Sequence, residues 1–370
     1  MQVLITIKCL LFLEGLLLFK FSPRILFDTF STNQNILFQY IFGYIFAFSW
    51  VWFVDRTRRI SSTLITLMIF SFLLKTLKNH VTWYYKFFYI FFTSMIVPIT
   101  CAFAMMQLSP KQERERWPLQ YVFLILGRLL RTCFIEKLFA QYETVFDTIF
   151  TAVFVILVAT IPWIQKRKLT LDGVKKSVQI YSPISSLLGQ SRYLYFLISV
   201  IFASFFFFYT RKSVELLHKF SVHSALNFIT EIVVCLLAYF VVPHRFPPQA
   251  FFLLGQALIA FRCIAYFSGC PLFFMELLEI VLASGFTVTT IANAQIIATH
   301  AKPGLEFTTC ALVDICKSGI APAIFVLFSN FITLETALIG CVMFLMAFTF
   351  KYYLIDYSHD NLIKKKLLFS

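Results

Sequence analysis

The chain has 370 residues, 59% of them hydrophobic and 14% charged, with a formal net charge of +14, and its mean hydropathy is +0.81. Soluble domains carry about 45–50% apolar and about 25% charged residues, so an ordinary soluble protein is excluded. A helix crossing lipid needs about 20 residues, and twelve such helices would leave little chain for any soluble module.

The first apolar run, 3–20, is interrupted by Glu14 and followed by Phe21-Ser22-Pro23, not by a small-x-small cleavage site. This predicts a retained span and not a cleaved signal peptide. Runs at 36–54, 60–77, 82–106, 117–135 and 144–164 follow, each bounded by charge, Pro or polar clusters. A basic stretch, 166–192, holds Lys166-Arg167-Lys168 and Lys175-Lys176, and six more runs lie at 193–210, 222–242, 249–267, 271–298, 306–331 and 333–355. The runs are long and continuous, which excludes the alternating ten-residue segments of a β-barrel. The expected fold is an all-α polytopic membrane protein of twelve transmembrane helices. It divides into an N-terminal six-helix bundle (1–165), a basic linker (166–192), a C-terminal six-helix bundle (193–355) and a tail (356–370).

The basic residues lie between the apolar blocks and form no single patch, so they predict no nucleic-acid partner. On this map nineteen Lys and Arg fall on the side of the N-terminus, nine on the other side, and four within runs. By the positive-inside rule this predicts both termini and the linker in the cytoplasm, with anionic headgroups as their neighbours. The plasma membrane and a monomer are the expected setting. The cysteines are scattered through the apolar runs and show no CxxC or Cys/His spacing, so no metal site, disulfide framework or cofactor is expected.

The segment after the second run reads Trp50-Val51-Trp52-Phe53-Val54-Asp55-Arg56-Thr57-Arg58-Arg59. It resembles the G-x-L-x-D-R-x-G-R-R loop of the major facilitator superfamily, with Val51 in place of the first glycine and no second glycine. An acid at a helix end beside Arg56, Arg58 and Arg59 can form a charge-assisted latch that holds one gate state. Ordered features of the second half extend the likeness: Glu231 in the eighth run, Gly255-Gln256 through Arg262 in the ninth, Leu282-Ala283-Ser284-Gly285-Phe286 in the tenth, and Ala301-Lys302-Pro303-Gly304-Leu305 after it. So do Ser22-Pro23-Arg24 and Asn33-Gln34-Asn35 before the second run. Together these resemble the branch that includes lactose permease and the nucleoside–proton symporters. The resemblance implies two halves, each with nested inverted repeats, around a midplane site.

Ionisable groups within lipid-spanning helices are costly and mark candidate sites. By resemblance, Glu231 and Arg262 correspond to a substrate- and proton-linked acid and arginine, and as a pair they would form a switch or a structural ion pair. Asp314 and Lys317, three apart, share a helix face and can neutralise each other. Glu276 and Glu279 have the same spacing with like charge, near the extracellular end of their helix. Glu14 faces the cavity if it lies on the inner side of the first helix. Arg128 and Arg131 are placed to snorkel to the extracellular interface. Tyr121 stands where the branch carries an arginine, the fourth run has no carboxylate, and the tenth lacks the permease's His and Glu; lactose itself is therefore not expected. Gln256, Asn227, Asn293, Gln295, Thr287, Thr289 and Thr290 add neutral polar groups.

The function expected is secondary transport of a small polar solute, sugar- or nucleoside-like by resemblance, with protons as a candidate coupling ion. No GxxxxGK[ST] loop supplies an ATP-driven engine. Two other classes stay open. One is a membrane-embedded lipid-modifying enzyme, although no HxxxxD or HExxH pattern marks it. The other is a transport-inactive receptor or scaffold that keeps the fold.

Overall fold

The computed structural model describes residues 2–18, 34–76, 85–106, 110–136, 139–162, 184–190, 193–205, 223–245, 248–267, 274–301 and 304–328. Among these the regular structure is entirely helical. The N-terminal half contributes α1 (Gln2–Leu18), α2 (Gln34–Thr57), α3 (Ile60–Thr76), α4 (Tyr85–Thr93), α5 (Ile96–Met106), α6 (Pro110–Leu130) and α7 (Glu143–Ala159). A short α8 (Ile184–Leu188) precedes α9 (Tyr193–Phe205). The rest of the C-terminal half is α10 (His223–Arg245), α11 (Pro248–Phe267), α12 (Met275–His300), α13 (Glu306–Asp314) and α14 (Ala321–Phe328).

Two of the expected spans are each built from two helices. Helices α4 and α5 are separated by a turn at Ser94-Met95, and α13 and α14 are joined by a π-helical turn, Ile315–Ile320. A second π turn, Arg131–Ile135, ends α6. Phe87–Met106, Trp117–Ile135, Glu276–Ile297 and Glu306–Ile324 are long and apolar enough to cross a membrane. The twelfth run, the start of the basic linker, the tail and the segment with Ser22-Pro23-Arg24 lie outside the described residues.

Lipid tails give helices no hydrophobic reason to associate, so close packing depends on small residues that let backbones approach. Helices α1 and α6 meet at Gly15 and Gly127: a Cβ on Gly15 would overlap the Leu124 carbonyl oxygen, and one on Gly127 would overlap that of Phe12. In the other half, Gly255 of α11 meets Gly285 of α12, where a Cβ would come within 2.8 Å of the Gly285 carbonyl. The two halves pack through α6 against α10, and through α2 and α5 against α13.

Candidate gate and central site

Helix α13 starts without a cap of its own. Leu305 precedes it and has no side-chain oxygen, so the first-turn amides lack a local acceptor. Asp55, 2% exposed at the end of α2, supplies one from the other half of the molecule. Its carboxylate accepts the N–H of Thr308 at 2.8 Å and of Phe307 at 3.2 Å, at the positive end of the helix dipole. Burial pushes this carboxyl, which lies beyond the apolar run, up to about 6, against the pull of the Thr308 and Phe307 donors and of Arg58. At neutral pH it is therefore mostly ionised and able to accept both bonds.

Arg58 provides the second tie. It ends α2 with φ 56°, its N–H bonded to the Val54 carbonyl at 2.8 Å. This is the left-handed position where the superfamily pattern has its second glycine. The turn directs the guanidinium to Glu306, Nη2 to Oε2 at 2.9 Å, and Glu306 also accepts the N–H of Gly304 at 3.1 Å. Arg58 and Asp55 are only loosely associated, at 4.0 Å. These contacts make a latch between the two halves, in which Asp55 engages backbone amides of α13 and not the arginines beside it. Arg56 lies over the exposed Trp52 ring at 4.5 Å, and Arg59 is exposed; among the described residues the tie is carried by Asp55 and Arg58.

Deeper in the bundle, the Gly15–Gly127 crossing brings the neighbouring residues Glu14 and Arg128 within electrostatic reach. Glu14 is 0% exposed, and neither carboxyl oxygen has a hydrogen-bond partner among the described residues. The nearby Thr100 hydroxyl goes to the Ile96 carbonyl at 3.0 Å. Arg128 is half-buried and also within reach of Tyr121, Asp314 and Lys317. It does not snorkel alone to an interface. Glu231 of α10 lies within reach of Tyr121 and Lys317.

Asp314 and Lys317 make no direct salt-bridge contact among the described residues, yet each is the leading opposite charge felt by the other. The π turn begins between them and alters the local spacing, so they stay close without direct contact. Lys317 Nζ lies over the Phe286 ring at 4.1 Å, while Asp314 accepts from the Ser318 hydroxyl at 3.4 Å.

The remaining buried charges are tied within one half at the end opposite the latch. Arg262 is 0% exposed and donates to Glu279 at 2.6 Å. Among the described residues, the carboxylate in salt-bridge contact with Arg262 is the acid across the α11–α12 hairpin, where Glu231 was the expected one. Glu276 is exposed, so the two glutamates three apart have different environments and do not share one site. In the N-terminal half Arg131, also 0% exposed, donates to Asp147 and to Glu143 (2.5 Å) and stands 3.6 Å from Glu136. Lys75 joins Asp147 and stands 3.7 Å from Glu143. Arg131 is therefore a buried structural hub and not a snorkelling residue.

The neutral groups divide similarly. Thr287, Thr289 and Thr290 each give their hydroxyl to a carbonyl one turn back, at 2.8, 2.8 and 2.9 Å. Gln256 is 3% exposed and neither side-chain polar atom has a partner among the described residues. Phe307 and Thr308 complete the latch through backbone amides, which no residue pattern announces. The signal for Glu279 was its place one hairpin away from Arg262.

No family model and no curated protein matches the sequence. Solved structures do. The crystal structure of the human organic anion transporter MFSD10 (TETRAN) aligns over 95% of this chain and 97% of its own, with TM-score 0.60 and 14% identity. That of a bacterial homologue of the iron transporter ferroportin, in an outward-facing state, aligns over 95% and 98%, with TM-score 0.64 and 11% identity. The fold is that of the major facilitator-type transporters. At these identities the likeness speaks for the fold alone. It gives no support to the lactose permease and nucleoside symporter branch in particular.

Proposed function

We propose that the chain is a secondary transporter that moves a small polar solute across a membrane by alternating access. The observation that carries this reading is an asymmetry. At one end, Asp55 and Arg58 of the N-terminal half hold the start of α13 in the C-terminal half. At the other end, the described ion pairs each stay inside one half. A hinged pair of rigid bodies needs ties within each body and a breakable tie between them. The latch would be the cytoplasmic gate, closed here, as the positive-inside bias orients the chain. The site would be the charged cluster of Glu14, Arg128, Glu231, Asp314 and Lys317, with Glu14 as the candidate proton carrier.

Sugar- or nucleoside-like solutes rest on sequence resemblance alone. The cargoes named for the two matched structures, an organic anion and iron, differ from each other, so the choice falls to the site residues. Among the described residues no group of three or more His, Cys, Asp or Glu side chains is arranged to hold a metal ion, which makes the iron analogy the weaker one. The test is counterflow in reconstituted vesicles preloaded with sugars, nucleosides, organic ions or amino acids. Trans-stimulated uptake of one solute, slowed or mis-gated by Asp55→Asn, is the expected result. Specific solute binding with no flux would favour the receptor reading.

A further inference from the structure

Within the transport reading, and resting on it, we propose that the central site is an anion clamp. Arg128 from the N-terminal half and Lys317 from the C-terminal half would hold the carboxylate or phosphate-ester group of a small organic solute. Most other buried, half-buried or latch-forming cations have a carboxylate partner: Arg58 has Glu306, Lys75 and Arg131 have Asp147, and Arg262 has Glu279; Lys8, near the start of α1, lies instead over the Phe123 ring at 5.1 Å. Arg128 and Lys317 have none in salt-bridge contact among the described residues. A cation deep in a membrane protein pairs with an anion or lines a pathway. These two unpaired cations lie within reach of each other, one on each half of the molecule.

Accessibility gives the sign of the missing partner. Arg128, Lys317 and Asp314 are half-buried at mid-bundle positions, whereas Glu14 has no accessible surface and Glu231 is 9% exposed. The groups with surface to offer are thus two cations and one carboxylate, with one positive charge in excess. Glu14, with both oxygens unpartnered beside Arg128, competes with the solute for that guanidinium and is not itself a contact. The π turn is the backbone feature that displays Lys317, and such turns concentrate at functional sites. The Phe286 ring under Lys317 offers an apolar wall for the organic part of the ligand.

The experiment uses the purified full chain, with thermal shift and vesicle counterflow read in parallel. The probes are pyruvate, succinate, glycerol 3-phosphate, glucose, uridine, glycine and choline. A carboxylate or the phosphate ester should raise the melting temperature and show counterflow, and which of the two does so identifies the anionic group. Glucose, uridine and choline should do neither. Arg128→Gln and Lys317→Gln should each weaken apparent affinity about tenfold or more, as expected for losing a hydrogen bond to a charged group, while Arg128→Lys and Lys317→Arg retain most of it. If a Gln variant does not fold, its charge-keeping partner carries the comparison through a change in anion preference. Binding confined to neutral or cationic solutes overturns the clamp, as does no binding by any probe or undiminished anion binding in the folded Gln variants. Counterflow of glucose, uridine or choline would overturn the clamp and leave the transport reading standing.

Discussion

A leucine at the start of α13 leaves amides that only another segment can satisfy, and Asp55 satisfies two of them from the opposite half. Removing a helix cap costs about 0.5–2 kcal/mol. Asp55→Ala should therefore shift the gate toward its open form by roughly fivefold, since about 1.4 kcal/mol is a factor of ten. Asp55→Asn should have a smaller effect, because an amide oxygen still accepts one bond. Labelling of a cysteine placed at the fully buried Ala311 of α13, with the native cysteines replaced, reads the change. The acid and arginines of this latch were legible in the sequence by type and spacing. Their partners were not, because Phe307 and Thr308 contribute backbone and Glu306 is distant in sequence. Arg58 shows the same limit: the pattern calls for glycine, and the left-handed turn forms with arginine, whose side chain then gains Glu306.

Arg262 makes a second residue-scale prediction. Breaking a buried pair on one side leaves a charge without compensation and costs about 3–5 kcal/mol. Glu279→Gln should lower the melting temperature strongly, and the Arg262→Gln, Glu279→Gln double variant should recover much of the loss. The coupling from that cycle should exceed the coupling between Arg262 and Glu231, measured the same way. The sequence resemblance favoured Glu231 because it matched a charged position of the eighth run. The hairpin of α11 and α12 brings Glu279, only seventeen residues on, to the guanidinium first.

At the scale of elements, helix identity was legible and helix irregularity was not. Long apolar runs specify spans with little ambiguity, and the helices described overlap the runs 3–20 through 306–331. A π turn carries no comparable signature. Spacing rules assume 3.6 residues per turn, so the three-residue spacing of Asp314 and Lys317 does not foretell the contacts that the Ile315–Ile320 turn allows them, Phe286 for Lys317 and Ser318 for Asp314. The close crossing of α1 and α6 gives a direct test of packing. Gly127→Val would place a Cβ against the Phe12 carbonyl and force the helices apart, with an expected loss of about 1–3 kcal/mol from overpacking. The same separation would move Arg128 from Glu14, so the variant should also lose solute response beyond its loss of melting temperature. Asp147→Asn, which removes the charge facing both Arg131 and Lys75, should destabilise the far end of the N-terminal half by a similar or larger amount in a thermal melt.

For the molecule as a whole, polar contacts within each half build two stiff bodies, and the latch joins them at one end. The positive-inside bias predicts a cytoplasmic position for that end, so a tag at Asn79 should report the outside and tags within 166–176 the inside. The most direct test of alternating access is the distance between spin labels at Thr57, beside the latch on α2, and Ala301, before α13. In reconstituted vesicles the wild-type distribution should have a dominant short component and a minor long one. Solute should redistribute the two, and Asp55→Ala should enlarge the long component without changing either distance. A single distance, unmoved by the variant and by every solute that binds, would contradict the account.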